Sequence, residues 1–175
     1  SPVILGFFLL KINMFSLPYK SDVIHVTQDM CDHNGHMNVT YYYKLFDSVY
    51  TSMYIEKLGF DDEYLKSGFS TFTLEDSIRY LKEFKLNDPI HPSFYLNNVN
   101  KKLLHFVGVL QNKEGELAAI FETVLGHINL AARKVTEFDD KRLTDLLTYQ
   151  ELNTINEQLP FELRLKIKDL DDSKF

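Results

Sequence analysis

Cysteine occurs once, at Cys31, so no disulfide can form within the chain, and a reducing, cytoplasmic setting is expected. A lone cysteine is more often a small packed hydrophobe than a nucleophile, and Cys31 is read that way. Basic residues are the minority sign, 19 Lys and Arg against 25 Asp and Glu, for a formal net charge of -6. That balance argues against a surface for nucleic acid or anionic membrane. Long apolar runs are missing too. The stretch Pro2 to Leu10 is too short to cross a bilayer, and it lacks the basic region and small-residue cleavage site of a secretory signal. Residues 1–13 read as an N-terminal extension or added remnant ahead of a start at Met14. No internal repeat or low-complexity linker divides the rest, so residues 14–160 are taken as one domain and 161–175 as a charged, fraying C-terminal tail.

What is present is concentrated in one place. Asp32-His33-Asn34-Gly35-His36-Met37-Asn38 sets a carboxylate and two imidazoles around a glycine turn, immediately before a helical pattern. Asn38 is a good N-cap, and Tyr42, Leu45, Phe46, Val49 and Met53 recur at helical spacing opposite Lys44, Asp47, Ser48 and Thr51. A helix from about Val39 to Leu58, capped by Gly59, would be roughly 30 Å long and must be wrapped by something. Asp22 to Thr27 reads as a short strand. Ser70–Phe84, Ile90–Val99, Leu103–Gln111 and Glu116–Asn129 read as four more, with turn residues at Asn87-Asp88-Pro89 and Asn112-Lys113-Glu114-Gly115. Leu143, Leu146, Leu147 and Leu152 suggest a second, peripheral helix that Pro160 ends. One long helix followed by tightly connected strands is an α+β layout, an antiparallel sheet of about five strands curled around the helix.

The motif allows several chemistries. Asp32 is either a general base or nucleophile, improved if desolvation raises its pKa, or a residue capping its own turn. Backbone N–H groups near Gly35 to Asn38 can hold a developing oxyanion, or Gly35 simply permits a tight turn. His36 and Asn38 either touch a substrate carbonyl or hold the loop, the latter favoured for Asn38. His33 and His36 with Asp29, Cys31 and Asp32 make only a weak metal pattern with no second ligand pair, so no metal is expected. Tyr41, Tyr42, Tyr43, Phe46, Tyr50 and Tyr54 can form an aromatic cage for a quaternary ammonium, although such a stripe is more often helix core.

Asp32, Gly35, His36 and Asn38, followed by a tyrosine-rich helix, resemble the motif of the hotdog-fold acyl-CoA thioesterases of the 4-hydroxybenzoyl-CoA thioesterase type. Within that group the segment is similar to the thioesterases of carnitine and betaine metabolism, in which a tyrosine stands at the position of His33. Thr73 to Glu83 resembles their second strand, and His127-Ile128-Asn129-Leu130 with Arg133 their last. The likeness runs from about Asp22 to Phe138. Val39 and Asn129 also depart from the usual pattern, which bears on acyl specificity more than on fold.

The resemblance implies the hotdog fold, hydrolysis of a small acyl-CoA with a betainyl-like acyl group favoured, and a homodimer or dimer of dimers. Coenzyme A would enter as part of the substrate, with no other cofactor. Asp32 is expected to be catalytic. Gly35, His36, Met37 and Asn38 are expected to bind substrate. Glu75 is expected to assist from the sheet, on a face shared with Thr73, Ser77 and Arg79, although a Glu beside an Arg is usually a solvated pair. Arg133 and Lys134, and the pair Lys101-Lys102, are candidates for the CoA phosphates, each more often a solvated turn. Two competing readings are a hotdog 3-hydroxyacyl-thioester dehydratase, using a histidine with Glu75, and a non-catalytic acyl-thioester binder.

Overall fold

The computed structural model describes residues 15–169; the reading of residues 1–13 lies outside them. In chain order the elements are β1 (Tyr19–Lys20), β2 (Ile24–His25), α1 (Val39–Glu56), α2 (Asp62–Lys66), β3 (Phe69–Tyr80), β4 (Pro89–Val99), β5 (Leu103–Gln111), β6 (Leu117–Asn129), β7 (Lys134–Val135) and α3 (Asp140–Leu152). The sheet runs β1-β4-β5-β6-β3, with β2 also on β4 and β7 on β6. Every pairing is antiparallel. The expected α+β layout holds. The strand expected at Asp22 to Thr27 shrinks to Ile24–His25, and β1, α2 and β7 are additions. Among the described residues no helix is long and apolar enough to cross a membrane.

Helix α1 starts where its cap dictates. The Asn38 side chain accepts from the Thr40 N–H at 3.0 Å and from its hydroxyl at 2.9 Å. Tyr42, Leu45, Phe46, Val49 and Met53 are buried, so one stripe faces the sheet as the 3.6-residue period requires. Phe46 anchors it, stacked on Phe121 of β6 at 4.9 Å and edge-on to Phe94 of β4 at 5.8 Å. Such ring pairs add about 0.5–1.5 kcal/mol beyond the area they bury. The opposite stripe of α1, including Val39, Tyr43, Lys44, Asp47 and Ile55, is exposed in the single chain.

Strand β3 is where the sequence pattern and the fold part company. Its register against β6 slips between Thr73 and Glu75, which pair with the adjacent residues Leu125 and Val124. Leu74 is therefore the extra residue of a β-bulge, and a bulge changes which face the following side chains take. Thr73 lies on the helix face with Leu125. Beyond the bulge Asp76, Ile78 and Tyr80 hold that face, while Glu75, Ser77 and Arg79 are on the outer one. Asp76 accepts a hydrogen bond from the Tyr43 hydroxyl of α1 at 3.0 Å. The residues from Thr73 to Asp76 are exposed, because among the described residues the far edge of β3 has no partner strand.

The outer face of β4 to β6 is covered by the end of the chain. Over residues 161–169 this corrects the expectation of a fraying tail; the rest of that tail lies outside the described residues. Phe161, Leu163 and Leu165 alternate inward onto Tyr95, Val107, Val109 and Ile120 or their neighbours, joined by Leu159 and Leu17. Asp169 accepts from the Asn98 side chain at 2.8 Å. Beneath this strap Glu122 is fully buried, and its carboxylate accepts the Arg164 N–H at 2.9 Å and the Leu165 N–H at 2.9 Å. His105 Nε2 lies 3.4 Å and Arg79 3.5 Å from it.

Candidate active site

The Asp32–Asn38 loop is a miniature hairpin whose hydrogen bonds are nearly all internal or directed at the core. Gly35 N–H donates to the Asp32 carbonyl at 3.0 Å, and Asp32 N–H to the His36 carbonyl at 3.0 Å. Gly35 has φ +82°, and a Cβ there would meet nothing within 4 Å. The glycine serves the left-handed backbone of the turn and makes no close approach. Met37 is buried. Its N–H donates to the Phe84 carbonyl at 2.8 Å, while Asn38 N–H donates to the Met30 carbonyl at 2.9 Å. The loop is thus held at both ends before α1 begins.

This accounting narrows the oxyanion candidates. Gly35, Met37 and Asn38 N–H are committed, the Asn34 N–H goes to Asp32 Oδ1 at 2.8 Å, and Thr40 N–H goes to the cap. His36 and Val39 N–H have no acceptor among the described residues, and Val39 opens the first turn of α1, where the helix dipole favours negative charge.

Asp32 departs from one expectation. The Asn34 N–H on its carboxylate holds its pKa below the ordinary carboxylate value, outweighing the small upward push of burial, and nearby His36 adds to the lowering. Asp32 shapes its own turn, and it also stands at the edge of a groove. That groove, of about 340 Å³, is lined by Asp32, His36, Met37, Asn38, Val39, Tyr42, Tyr80 and the segment Leu81 to Glu83. Asp32, His36 and the first residue of α1 line one space with an aromatic wall. Tyr42 and Tyr80 supply that wall, edge-to-face at 5.3 Å.

A family model for the thioesterase-like superfamily matches residues 26–146. The chain belongs to that superfamily. The L-carnitine dehydrogenase/betainyl-CoA thioesterase of Rhizobium meliloti (strain 1021) is 30% identical over 104 residues, 59% of this chain and 21% of that protein. The one from Agrobacterium fabrum (strain C58 / ATCC 33970) is 28% identical over 136 residues, 77% of this chain and 28% of that protein. The chain therefore spans about a quarter of the length of these relatives. Among solved structures, a hypothetical protein from Staphylococcus aureus in complex with CoA superposes with a TM-score of 0.75 at 27% identity, covering 86% of this chain and 96% of that one. A DHNA-CoA thioesterase from Staphylococcus aureus superposes with a TM-score of 0.64 at 18% identity, covering 77% and 94%. The fold is the hotdog fold of this thioesterase-like superfamily.

Within this superfamily member the other expected residues are dispersed. Glu75 is exposed on the outer face of β3, behind the sheet as seen from α1, and does not line the groove. The second carboxylate in the groove is Glu83, whose Oε2 is 3.9 Å from His36 Nε2. Arg133 and Lys134 follow β6 at the end of the sheet opposite Tyr80, and the Arg133 guanidinium rests over Phe72 at 5.1 Å from the ring centre. Asn129 has a local task, accepting the Ala132 N–H at 2.9 Å in the turn after β6. His127 is buried at that same end, its Nδ1–H donating to the Thr136 carbonyl at 3.1 Å and the Tyr64 hydroxyl donating to Nε2. Burial keeps its pKa below the usual imidazole value.

The aromatic stripe of α1 forms no cage within the single chain. Phe46 stacks into the core, Tyr54 stacks on Phe60 at 4.4 Å, and only Tyr42 of the stripe lines the groove. Among the described residues no cluster of His, Cys, Asp and Glu has the makings of a metal site.

Proposed function

We propose that this chain is a thioester hydrolase that converts an acyl-CoA to the free acid and coenzyme A, with Asp32 as the base or nucleophile. The observation that carries the proposal is that Asp32, His36 and Val39 line one groove, with the His36 and Val39 amides uncommitted among the described residues. In the direct route, Asp32 takes a proton from a water molecule as its oxygen attacks the carbonyl carbon. The two amides take up the charge that develops on the carbonyl oxygen, the step where fixed donors are worth most. A thiolate then departs as the carbonyl re-forms. No metal is needed for this, and coenzyme A enters only as part of the substrate.

Betainyl-CoA is the favoured substrate, supported by the names of the relatives and by the tyrosine wall that a trimethylammonium group can contact. The test is thiol release from a panel of acyl-CoAs led by betainyl-CoA. Absence of hydrolysis across the panel would sink the reading and favour a non-catalytic binder. A cytoplasmic location belongs to the same proposal, since it fits a chain with one free thiol.

The working unit we propose is a homodimer formed along β3. Its far edge offers unpaired backbone groups, and Leu74, Tyr80 and Leu81 are each about half exposed beside it. A second copy joined antiparallel across a two-fold axis would cover this edge and close the open side of the groove at Tyr80. The strap of residues 159–165 already covers the outer face of β4 to β6, which favours a dimer over a dimer of dimers stacked through that face. Sedimentation at micromolar concentration is expected to give twice the chain mass. Replacing Leu74 with lysine should shift it toward monomer, and a monomeric wild-type protein would rule the assembly out.

A further inference from the structure

The stretch Leu81 to Lys85 reads as the frayed end of a strand followed by charges, yet its backbone is pinned to the motif loop and to helix α1. The Tyr42 hydroxyl donates to the Lys82 carbonyl at 3.1 Å. The Met37 N–H donates to the Phe84 carbonyl at 2.8 Å, and His36 pairs with Lys85 as an isolated antiparallel bridge. Phe84 is fully buried and contacts Tyr42, so the segment cannot slide. Glu83 is held between these anchors. One of its oxygens lies 3.2 Å from Lys85 Nζ and the other 3.9 Å from His36 Nε2. A half-exposed ion pair of this length adds little to stability. Its backbone anchoring keeps it beside the motif instead: Glu83 lies on the Nε2 side of His36, and both residues line the groove with Asp32.

We infer that Glu83 is a positioning residue that holds His36 as the proton donor to the departing thiolate. The inference rests on the hydrolase reading above. Water loses a proton to Asp32 as its oxygen bonds the carbonyl carbon, and the electron pair of the carbonyl moves to oxygen. When the carbonyl re-forms, the C–S bond breaks and its electron pair stays on sulfur. The His36 imidazolium, its Nε2–H directed at Glu83, gives its Nδ1 proton to that sulfur. The proton on Asp32 then passes to His36 through water, restoring both groups. An imidazolium beside a carboxylate is the state to which this cycle returns between turnovers.

The test compares two substrates with the same acyl group, betainyl-CoA and the S-phenyl thioester, whose aryl thiolate leaves without needing a proton. Glu83→Gln is expected to lower kcat on betainyl-CoA by about tenfold or more and His36→Gln by roughly a hundredfold, both with KM little changed. On the S-phenyl ester both variants should run near the wild-type rate. The double variant should be no worse than His36→Gln alone, because the two residues act through one proton. A merely structural role would lower both substrates equally, and that outcome overturns the inference while leaving the hydrolase reading intact. Unchanged turnover of betainyl-CoA by Glu83→Gln overturns it as well. Failure of the wild-type protein to cleave either ester would overturn the hydrolase reading itself, and this inference with it.

Discussion

Asp32→Asn is expected to lower turnover on the best acyl-CoA substrate by on the order of a hundredfold or more while leaving substrate affinity close to wild type, the usual scale for losing a general base. The substitution isolates charge from shape. An asparagine Oδ1 can still accept the Asn34 N–H that the carboxylate accepts at 2.8 Å, so the turn and the helix start should survive. What disappears is the carboxylate that would take a proton from water. A thiol-release assay under saturating substrate, with affinity followed separately by calorimetry using free CoA, separates the two effects. Because Asp32 is held ionised below the ordinary carboxylate range, its contribution should be present through neutral pH and vanish only in acid, as the carboxylate takes up a proton. Full activity of Asp32→Asn would show that another group is the base, even with the superfamily membership unchanged.

Glu122→Ala is expected to cost roughly 3–5 kcal/mol of folding stability, the range seen when one member of a buried charged cluster is removed. The carboxylate is the common acceptor for the backbone N–H groups of Arg164 and Leu165, with His105 and Arg79 close by. Its removal leaves those donors buried without partners. Burial alone would push the Glu122 pKa up, but the His105 side chain and the two backbone donors pull it further the other way, leaving it below the usual glutamate value. The linkage sign follows. This stabilisation is fully present above the ordinary glutamate range and is lost as pH falls through the lowered folded-state value. Urea denaturation at neutral pH should show the loss, and limited proteolysis should find residues 159–165 cut first in the variant. An equal midpoint for variant and wild type would mean the strap is held by its apolar residues alone.

The site was legible in the sequence where its geometry is local. Turn, glycine conformation and N-cap all fall within Asp32 to Asn38, so spacing carries them. The same holds for the buried stripe of α1, where periodicity is enough. Thr73 parts from Glu75, Ser77 and Arg79 for a definite reason: strict alternation presumes one phase along a strand, and the bulge at Leu74 changes it midway. Glu83 was invisible because its nearness to His36 depends on Phe84 and Lys85 meeting the motif loop, a tertiary pairing with no local signature. The strap is a different case. Phe161, Leu163 and Leu165 alternate with charged residues at period two, and that signal was readable beneath the polar composition of the tail.

The order of strands has a consequence for how the chain reaches this structure. Strands β4, β5 and β6 form a meander joined by short turns, closing from pairs as near in sequence as Val99 and Leu104. Strand β3 skips its sequence neighbour and pairs with β6, from Tyr80 with Ala119 out to Phe69 with Asn129. Long loops close slowly, so the meander is expected to form first and β3 to dock late, carrying Tyr80 and the segment that positions Glu83 with it. The half of the groove made by the Asp32 loop can therefore exist before the half made by β3. Catalytic competence should appear in refolding as a phase slower than the recovery of sheet structure.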